Sequence, residues 1–277
     1  MSEIENRNPW KFFLITYIFT WSLQISAVLL VDKIDNSLVA ILAILGSFGP
    51  SLTAIFLVFL KERTQLKNFI LSWNFKIGFS NFLLVFFISP LFIIISSVYI
   101  ILFSGLTIDL NTIFSSFAVF LIFPIILVIG GPLAEEYGWR GYAMEPIIQK
   151  YNFTMGSLII GVIHALWHLP LFFLKTTFQN DMFNYSPLSI IPFLIAAVLI
   201  SYVFTYTYYA SGKKLFTAFI FHAMFNVSTA VLVTLVTVSN KVNFPVFFNG
   251  FILFVVLYFV TAVFLVMKKR EIIKNYQ

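Results

Sequence analysis

The stretch Gly131-Pro-Leu-Ala-Glu-Glu-Tyr-Gly-Trp-Arg-Gly-Tyr142 follows a long apolar run, Phe117 to Gly130, that has the character of a membrane span. It places two adjacent carboxylates and an arginine at the end of that run. An ionisable residue near the centre of a span costs ~2.5–3.5 kcal/mol on insertion scales, and less nearer the interface. A cluster of charges in this setting therefore indicates a functional site.

The composition of the whole chain indicates a membrane protein. Of its 277 residues, 60% are hydrophobic and 10% are charged, whereas a soluble domain carries about 25% charged residues. One globule cannot bury this much apolar surface, so lipid is the expected solvent. The net charge of +6 follows membrane topology and does not indicate nucleic acid as a partner. The absence of cysteine excludes disulfides and thiol chemistry.

Eight apolar runs are long enough, at about 20 residues, to cross a bilayer as helices. We therefore predict an all-α polytopic membrane protein that forms one integral membrane domain over residues 1–277. The fourth span is expected to continue as a helix towards Lys150, and the connection from Lys61 to Ser80 is expected to form an amphipathic surface helix. The predicted spans are residues 9–31, 38–60, 82–106, 115–134, 155–174, 187–209, 215–238 and 246–267.

The distribution of basic residues predicts the orientation of these spans. With eight spans and a cytoplasmic N-terminus, the outside segments hold only Lys33, Lys175 and Lys241 of the 17 Lys and Arg residues. Basic residues concentrate on the cytoplasmic side of membrane proteins. We therefore expect a multi-pass protein of the cell membrane with both termini cytoplasmic and the Glu pair on the cytoplasmic side.

Polar residues at helical spacing occur in three of these helices. Residues four apart share a helix face, and three pairs have this spacing: Glu136 with Arg140, His164 with His168, and His222 with Asn226. Glu135 is rotated by about 100° from its neighbour and can face a different helix. Since separate polar groups facing lipid would be costly three times over, we predict one polar cavity between helices four, five and seven.

The residue types in this cavity suit the hydrolysis of an amide. A carboxylate can take a proton from water, and a nearby imidazole can orient or deprotonate that water. A second imidazole and an amide can donate hydrogen bonds to a developing oxyanion. No serine lies in a matching His–Asp context.

At these residues the sequence resembles the CAAX-prenyl endopeptidase and bacteriocin-processing family of intramembrane proteases, also called the CPBP or Abi family. The three family motifs are Glu-Glu-x-x-x-Arg, an aromatic residue followed by x-x-x-His, and His-x-x-x-Asn or Asp. Their order, spacing and helical setting agree over a core of about residues 115–235. In this chain they read Glu135-Glu136-Tyr-Gly-Trp-Arg140, His164-Ala-Leu-Trp-His168 and His222-Ala-Met-Phe-Asn226.

The resemblance implies an enzyme, a CAAX-type intramembrane endopeptidase that is often classed as a metallopeptidase. The expected substrate is a prenylated or small peptide or protein, cleaved near its C-terminus in contact with the bilayer. Bacteriocin processing or self-immunity is a further implied role. The roles implied for this chain are water activation by Glu135 with His168, an oxyanion site of His222 with Asn226, and structural and charge support by Glu136 with Arg140. His164 stands where the family usually has Phe or Trp, and it either replaces a packing ring or adds a polar contact.

Three alternatives remain open at this stage. The Glu–His chemistry requires no metal or other cofactor, but Glu135, His168 and His222 are an alternative set of zinc ligands with an open water position. The chain is not of the zincin type, because His-x-x-x-His lacks that motif's Glu. A non-enzymatic transporter or proton-coupled relay would use the same cluster, although no internal repeat supports it. A catalytically silent immunity protein that binds a membrane partner is the third.

Overall fold

The computed structural model shows a helical protein and describes residues 7–104, 125–126, 128–175, 177–238 and 244–273. Within these ranges the secondary structure consists of helices, and no strand is present. The prediction of an all-α fold is confirmed.

The N-terminal third is a long helix packed against a bent pair. Helix α1, Pro9–Leu30, begins at Asn8, whose side chain accepts a hydrogen bond from the Lys11 backbone N–H. Helices α2, Asn36–Ser47, and α3, Gly49–Lys61, meet at an angle of 47°. The sequence predicted a single span at 38–60, and its bend lies where Gly46 and Gly49 contact α1 at Thr20.

The polar connection after α3 is only partly helical. A 3₁₀ turn, Arg63–Gln65, leads into the short helix α4, Leu66–Ile70, and the chain then runs without helix to α5, Phe79–Ser104. The amphipathic helix expected between Lys61 and Ser80 is therefore reduced to about one turn. Phe69 of α4 is nevertheless buried, because its ring packs against Tyr137 and Arg7.

The stretch that contains the two adjacent glutamates is a continuous run of helical turns, which we call the Glu-Glu segment, residues 129–151. It comprises a π-helical turn Ile129–Leu133, the short α6 Ala134–Glu136, a second π-helical stretch Tyr137–Ala143, and α7 Met144–Tyr151. The expectation that a helix continues towards Lys150 is confirmed. The π-helical turns were not predicted.

The C-terminal half adds four longer helices and one short one. Helix α8, Phe153–Trp167, ends in a 3₁₀ turn, Leu169–Phe173, that begins directly before Pro170. The remaining helices are α9 Phe178–Tyr185, α10 Ile190–Ala210, α11 Leu215–Val238 and α12 Phe244–Ile273.

Five of the described helical stretches are long and apolar enough to cross a membrane, or six if the bent α2–α3 pair counts as one. The protein is therefore a multi-pass membrane protein, although the count of eight is not confirmed. The predicted fourth span, 115–134, lies mostly outside the described residues, and the described apolar part of α11 covers Leu215–Ala230. The five stretches are Pro9–Leu30, Phe79–Phe103, Phe153–Phe173, Pro187–Ala210 and Pro245–Lys268.

The Glu-Glu segment lies between helices from both halves of the chain. It contacts α3 on one side and α11 on another, while α7 packs on α8. A Cβ on Gly138 would lie 2.5 Å from the Pro50 carbonyl oxygen, so α3 approaches this segment backbone to backbone. Trp139 is fully buried among aromatic rings of α1 and α8. This packing fixes the side chains that the next section describes.

Candidate active site

Glu135 lies against the two histidines of α8. Its Oε2 atom is 2.8 Å from Nε2 of His164. One ligand atom each from Glu135, His164 and His168 all lie within 4.8 Å of one another. Glu135 and His168, which the sequence assigned to water activation, are thus brought together. His164 makes a polar contact here, although its ring also lies 4.9 Å from that of Trp139.

His168 is held in one orientation by its own helix. Its Nδ1 is 2.9 Å from the His164 carbonyl oxygen. Because a carbonyl can only accept, Nδ1 must donate, and Nε2 of the neutral ring then presents a lone pair. The rings of Trp167 and Phe193 contact the imidazole edge-on at 4.8 and 5.8 Å. His168 is therefore arranged as a base or a metal ligand through Nε2.

Glu136 faces away from Glu135 and joins two other groups. Its Oε1 accepts a hydrogen bond from Arg140 Nη1 at 3.0 Å and lies 2.7 Å from Nδ1 of His222. The predicted Glu136–Arg140 pair is confirmed, and both residues are 1% exposed. The Arg140 guanidinium also stacks 4.1 Å above the Phe204 ring. A charge buried this deeply requires such partners.

His222 and Asn226 of α11 converge on the backbone of Gly131. A Cβ at Gly131 would overlap the Asn226 amide nitrogen and would lie 3.4 Å from Nε2 of His222. Only glycine therefore allows this close approach. The Asn226 amide and His222 Nε2 thus lie on one side of the Glu-Glu segment, as the predicted oxyanion pair requires. The Gly130-Gly131 pair is the sequence signal for this contact, but it does not indicate which side chains approach the backbone.

A metal-ligand set is present, and it differs from the expected one. Within the described part of the chain, the His, Asp and Glu residues close enough to share an ion are Glu135, His164 and His168. His222 instead hydrogen-bonds Glu136. One carboxylate and two imidazoles are a donor set that suits zinc, and the His168 Nδ1 contact to a carbonyl is typical of a metal-bound histidine. The residues fit a metal ion, with His164 in the place expected for His222.

Comparison with known proteins bears on this arrangement. The family model described as type II CAAX prenyl endopeptidase Rce1-like matches residues 114–228, a range that contains all three motifs. CAAX prenyl protease 2 of Methanococcus maripaludis is 26% identical over 232 residues, which are 81% of this chain and 85% of that protein. Over the range that contains the three motifs, the chain is thus similar to type II CAAX prenyl endopeptidases. The three motifs lie on the Glu-Glu segment, α8 and α11, and the Glu-Glu segment contacts both of these helices.

Other residues that support the site lie outside the matched range. Ser51 of α3 donates to the carbonyl of Leu133, the last residue of the first π-helical turn, at 3.0 Å. Two side chains of α1, Tyr17 and Trp21, donate to backbone carbonyls of α8. Sequence reasoning missed them because a donor to a distant carbonyl leaves no spacing pattern.

Proposed function

We propose that this chain is an intramembrane endopeptidase that hydrolyses a peptide bond near the C-terminus of a prenylated or small peptide or protein substrate. The observation that supports it most is the grouping of Glu135, His164 and His168 within 4.8 Å. The relative named CAAX prenyl protease 2 supports the substrate class. Both termini are proposed to be cytoplasmic, with the site opening to that side.

In the proposed reaction, Glu135 and His168 activate a water molecule. Hydrogen bonds of about 2.8 Å allow one water to bridge two groups up to roughly 5.6 Å apart, which exceeds the 4.8 Å spread of the ligand atoms. Such a water donates one hydrogen to the Glu135 carboxylate and the other to the His168 Nε2 lone pair. As the oxygen attacks the carbonyl carbon, Glu135 takes the proton and later delivers it to the leaving amine.

His222 and Asn226 stabilise the negative charge that develops on the carbonyl oxygen. The Asn226 amide donates directly through Nδ2. Since Nδ1 of His222 already contacts Glu136, Nε2 donates only when the ring is doubly protonated. Arg140 contacts the same Oε1 atom of Glu136 as His222 does, so Glu136 and Arg140 together carry no net charge. The Asn226 amide and the doubly protonated His222 ring would then both donate to the carbonyl oxygen in the transition state.

His164 has a positioning role in this scheme. Its Nε2 hydrogen-bonds Glu135, which fixes the carboxylate rotamer facing His168. A zinc ion held by Glu135, His164 and His168 would supply Lewis-acid activation of water. We propose the metal-free form, because a carboxylate and an imidazole can activate water by general base catalysis without a metal ion.

Cleavage by the full chain in liposomes tests the proposal. The substrate is a fluorogenic peptide with a farnesylated C-terminal CAAX sequence, with the unprenylated peptide alongside. Because Glu135 carries the proton, Glu135→Gln should lower kcat by about 10³-fold or more. The control Glu145→Gln changes a carboxylate that binds Tyr209 and Lys213 away from the site, and it should retain activity.

Treatment with a metal chelator distinguishes the metal-free mechanism from a zinc-dependent one. The metal-free mechanism predicts that cleavage survives EDTA and that elemental analysis finds no stoichiometric zinc. Activity lost in EDTA and restored by zinc would establish the metal form. Cleavage at the wild-type rate by Glu135→Gln would contradict the hydrolase proposal itself.

A further inference from the structure

Two side chains of α1 contact α8 at the peptide groups that precede the site histidines. The Tyr17 hydroxyl donates to the Ile163 carbonyl at 2.5 Å, and the Trp21 indole donates to the Trp167 carbonyl at 3.1 Å. Ile163 directly precedes His164, and Trp167 directly precedes His168. Each donor therefore fixes the orientation of the peptide group that links its acceptor residue to the site histidine.

The two contacts have the same register on both helices. Tyr17 and Trp21 are four residues apart on α1, with ring centroids 5.1 Å apart, and their acceptors are four residues apart on α8. Residues at this spacing share one helix face. A rotation or slide of α8 by one residue would break both hydrogen bonds together.

The Trp167 carbonyl has a particular need for an outside donor. In a continuing helix it would accept from Leu171, but that N–H donates to the His168 carbonyl at 3.0 Å. The 3₁₀ alternative would be Pro170, which has no N–H. A helix end of this kind leaves its carbonyls unpaired unless side chains or water supply donors. Trp21 supplies that donor next to His168.

We propose that Tyr17 and Trp21 are positioning residues that set the rotation of α8 and thereby hold His164 and His168 against Glu135. This inference rests on the proposed endopeptidase function. It extends the site to α1, which lies outside the family match at 114–228. Neither residue touches the reacting atoms.

The first test uses kinetics of Tyr17→Phe and Trp21→Phe in the full chain. Each variant removes one hydrogen-bond donor and keeps an aromatic ring. Because a misplaced catalytic group slows the chemical step, each should lower kcat about tenfold with KM nearly unchanged. Tyr258→Phe is the matched control, since it removes a buried hydroxyl that pairs with Ser89 at 2.7 Å between α5 and α12. That variant should keep wild-type kcat at a similar loss of thermal stability.

The second test needs no activity. The chain has three histidines, so protein labelled with ¹⁵N in the imidazole rings gives a small, resolvable set of NMR signals. In Tyr17→Phe and Trp21→Phe the signals of His164 and His168 should shift, while those of His222 on α11 stay in place. Tyr258→Phe should leave all three unchanged.

The two tests distinguish the possible failures. Equal kcat in wild type, Tyr17→Phe and Trp21→Phe, or an equal loss in Tyr258→Phe, would overturn the positioning role. Unshifted His164 and His168 signals would overturn it as well. If wild type cleaves nothing but the two histidines still respond to loss of either donor, the endopeptidase proposal fails and the positioning of α8 by α1 stands.

Discussion

Adjacent residues in this site have separate partners because a helix turns by about 100° per residue. Glu135 contacts His164, while Glu136 contacts Arg140 and His222. The spacing of Glu136 and Arg140 was enough to predict their pairing. The role of His164 was not predictable, because it shares a face with His168 and only the rotation of α8 decides which ring meets Glu135.

At the residue scale, Gly131 gives a prediction with a close control. A methyl group at Gly131 would overlap the Asn226 amide, so Gly131→Ala should displace that side chain. Losing an oxyanion donor costs about 10²–10³-fold in kcat, and we expect a loss of that order in peptide cleavage.

The neighbouring variant Gly130→Ala serves as the control. Its added Cβ would meet only Ser47 Oγ, at an ordinary 3.8 Å. This variant should cleave within about twofold of wild type, since surface-type contacts rarely change stability much. Equal activity in Gly131→Ala and wild type would show that Asn226 has no place in the reaction.

At the element scale, the sequence predicted a helix through the Glu pair but not its π-helical turns. π-helical turns are rare overall but frequent at functional sites. The sequence Gly130-Gly131-Pro132 indicates a disturbed helix, but it does not specify that the disturbance is π-helical. In the structure, the π-helical turns contact residues of α3. Ser51 donates to the Leu133 carbonyl, and Gly138 allows the Pro50 backbone to approach. Both are contacts between distant parts of the chain, which local periodicity cannot report.

Arg7 is a distant residue that contacts the second π-helical stretch, and its contribution to stability can be tested. Its Nη1 donates to the Gly141 carbonyl at 3.0 Å, and its Nε and Nη2 bind both oxygens of Glu62. Hydrogen bonds to charged groups contribute about 1.5–3 kcal/mol when they are shielded from water. Both side chains are largely buried, so Arg7→Gln should lower the thermal midpoint in detergent.

A double-mutant cycle isolates the Arg7–Glu62 pair, which holds Arg7 in place beside the Gly141 carbonyl. Arg7→Gln and Glu62→Gln, alone and combined, should give a coupling free energy of unfolding of about 1–2 kcal/mol. Arg63→Gln is the control, because that exposed side chain only stacks on Phe59 at 5.3 Å. A coupling near zero would mean that the Arg7–Glu62 pair contributes no stability.

At the scale of the whole molecule, composition was sufficient to predict an all-α membrane protein, and long apolar runs located its helices well. The predicted span at 38–60 was right in position but wrong in shape, since α2 and α3 bend at Phe48 by 47°. Hydropathy measures length and apolar character only. A bend set by Gly46 and Gly49 against α1 depends on tertiary contact.

The bent pair raises the question of whether the chain crosses the membrane there or turns back. Helices α2 and α3 have 12 and 13 residues, and at 1.5 Å per residue they extend about 37 Å. A bend of 47° leaves the two axes pointing in the same general direction, so the pair still spans about 34 Å, more than the ~30 Å hydrocarbon core. We therefore expect one crossing, because a re-entrant loop would need a reversal of direction.

Cysteine accessibility tests this crossing on a clean background, because the natural chain has no cysteine. The exposed residues Asn36 and Thr64 lie at its two ends, and neither carries charge that would alter the Lys and Arg bias. In intact cells, a membrane-impermeant maleimide should label Asn36→Cys from outside and should reach Thr64→Cys only after permeabilisation. Labelling of both positions from one side would mean that the pair re-enters, which would also shift the predicted sidedness of every later helix.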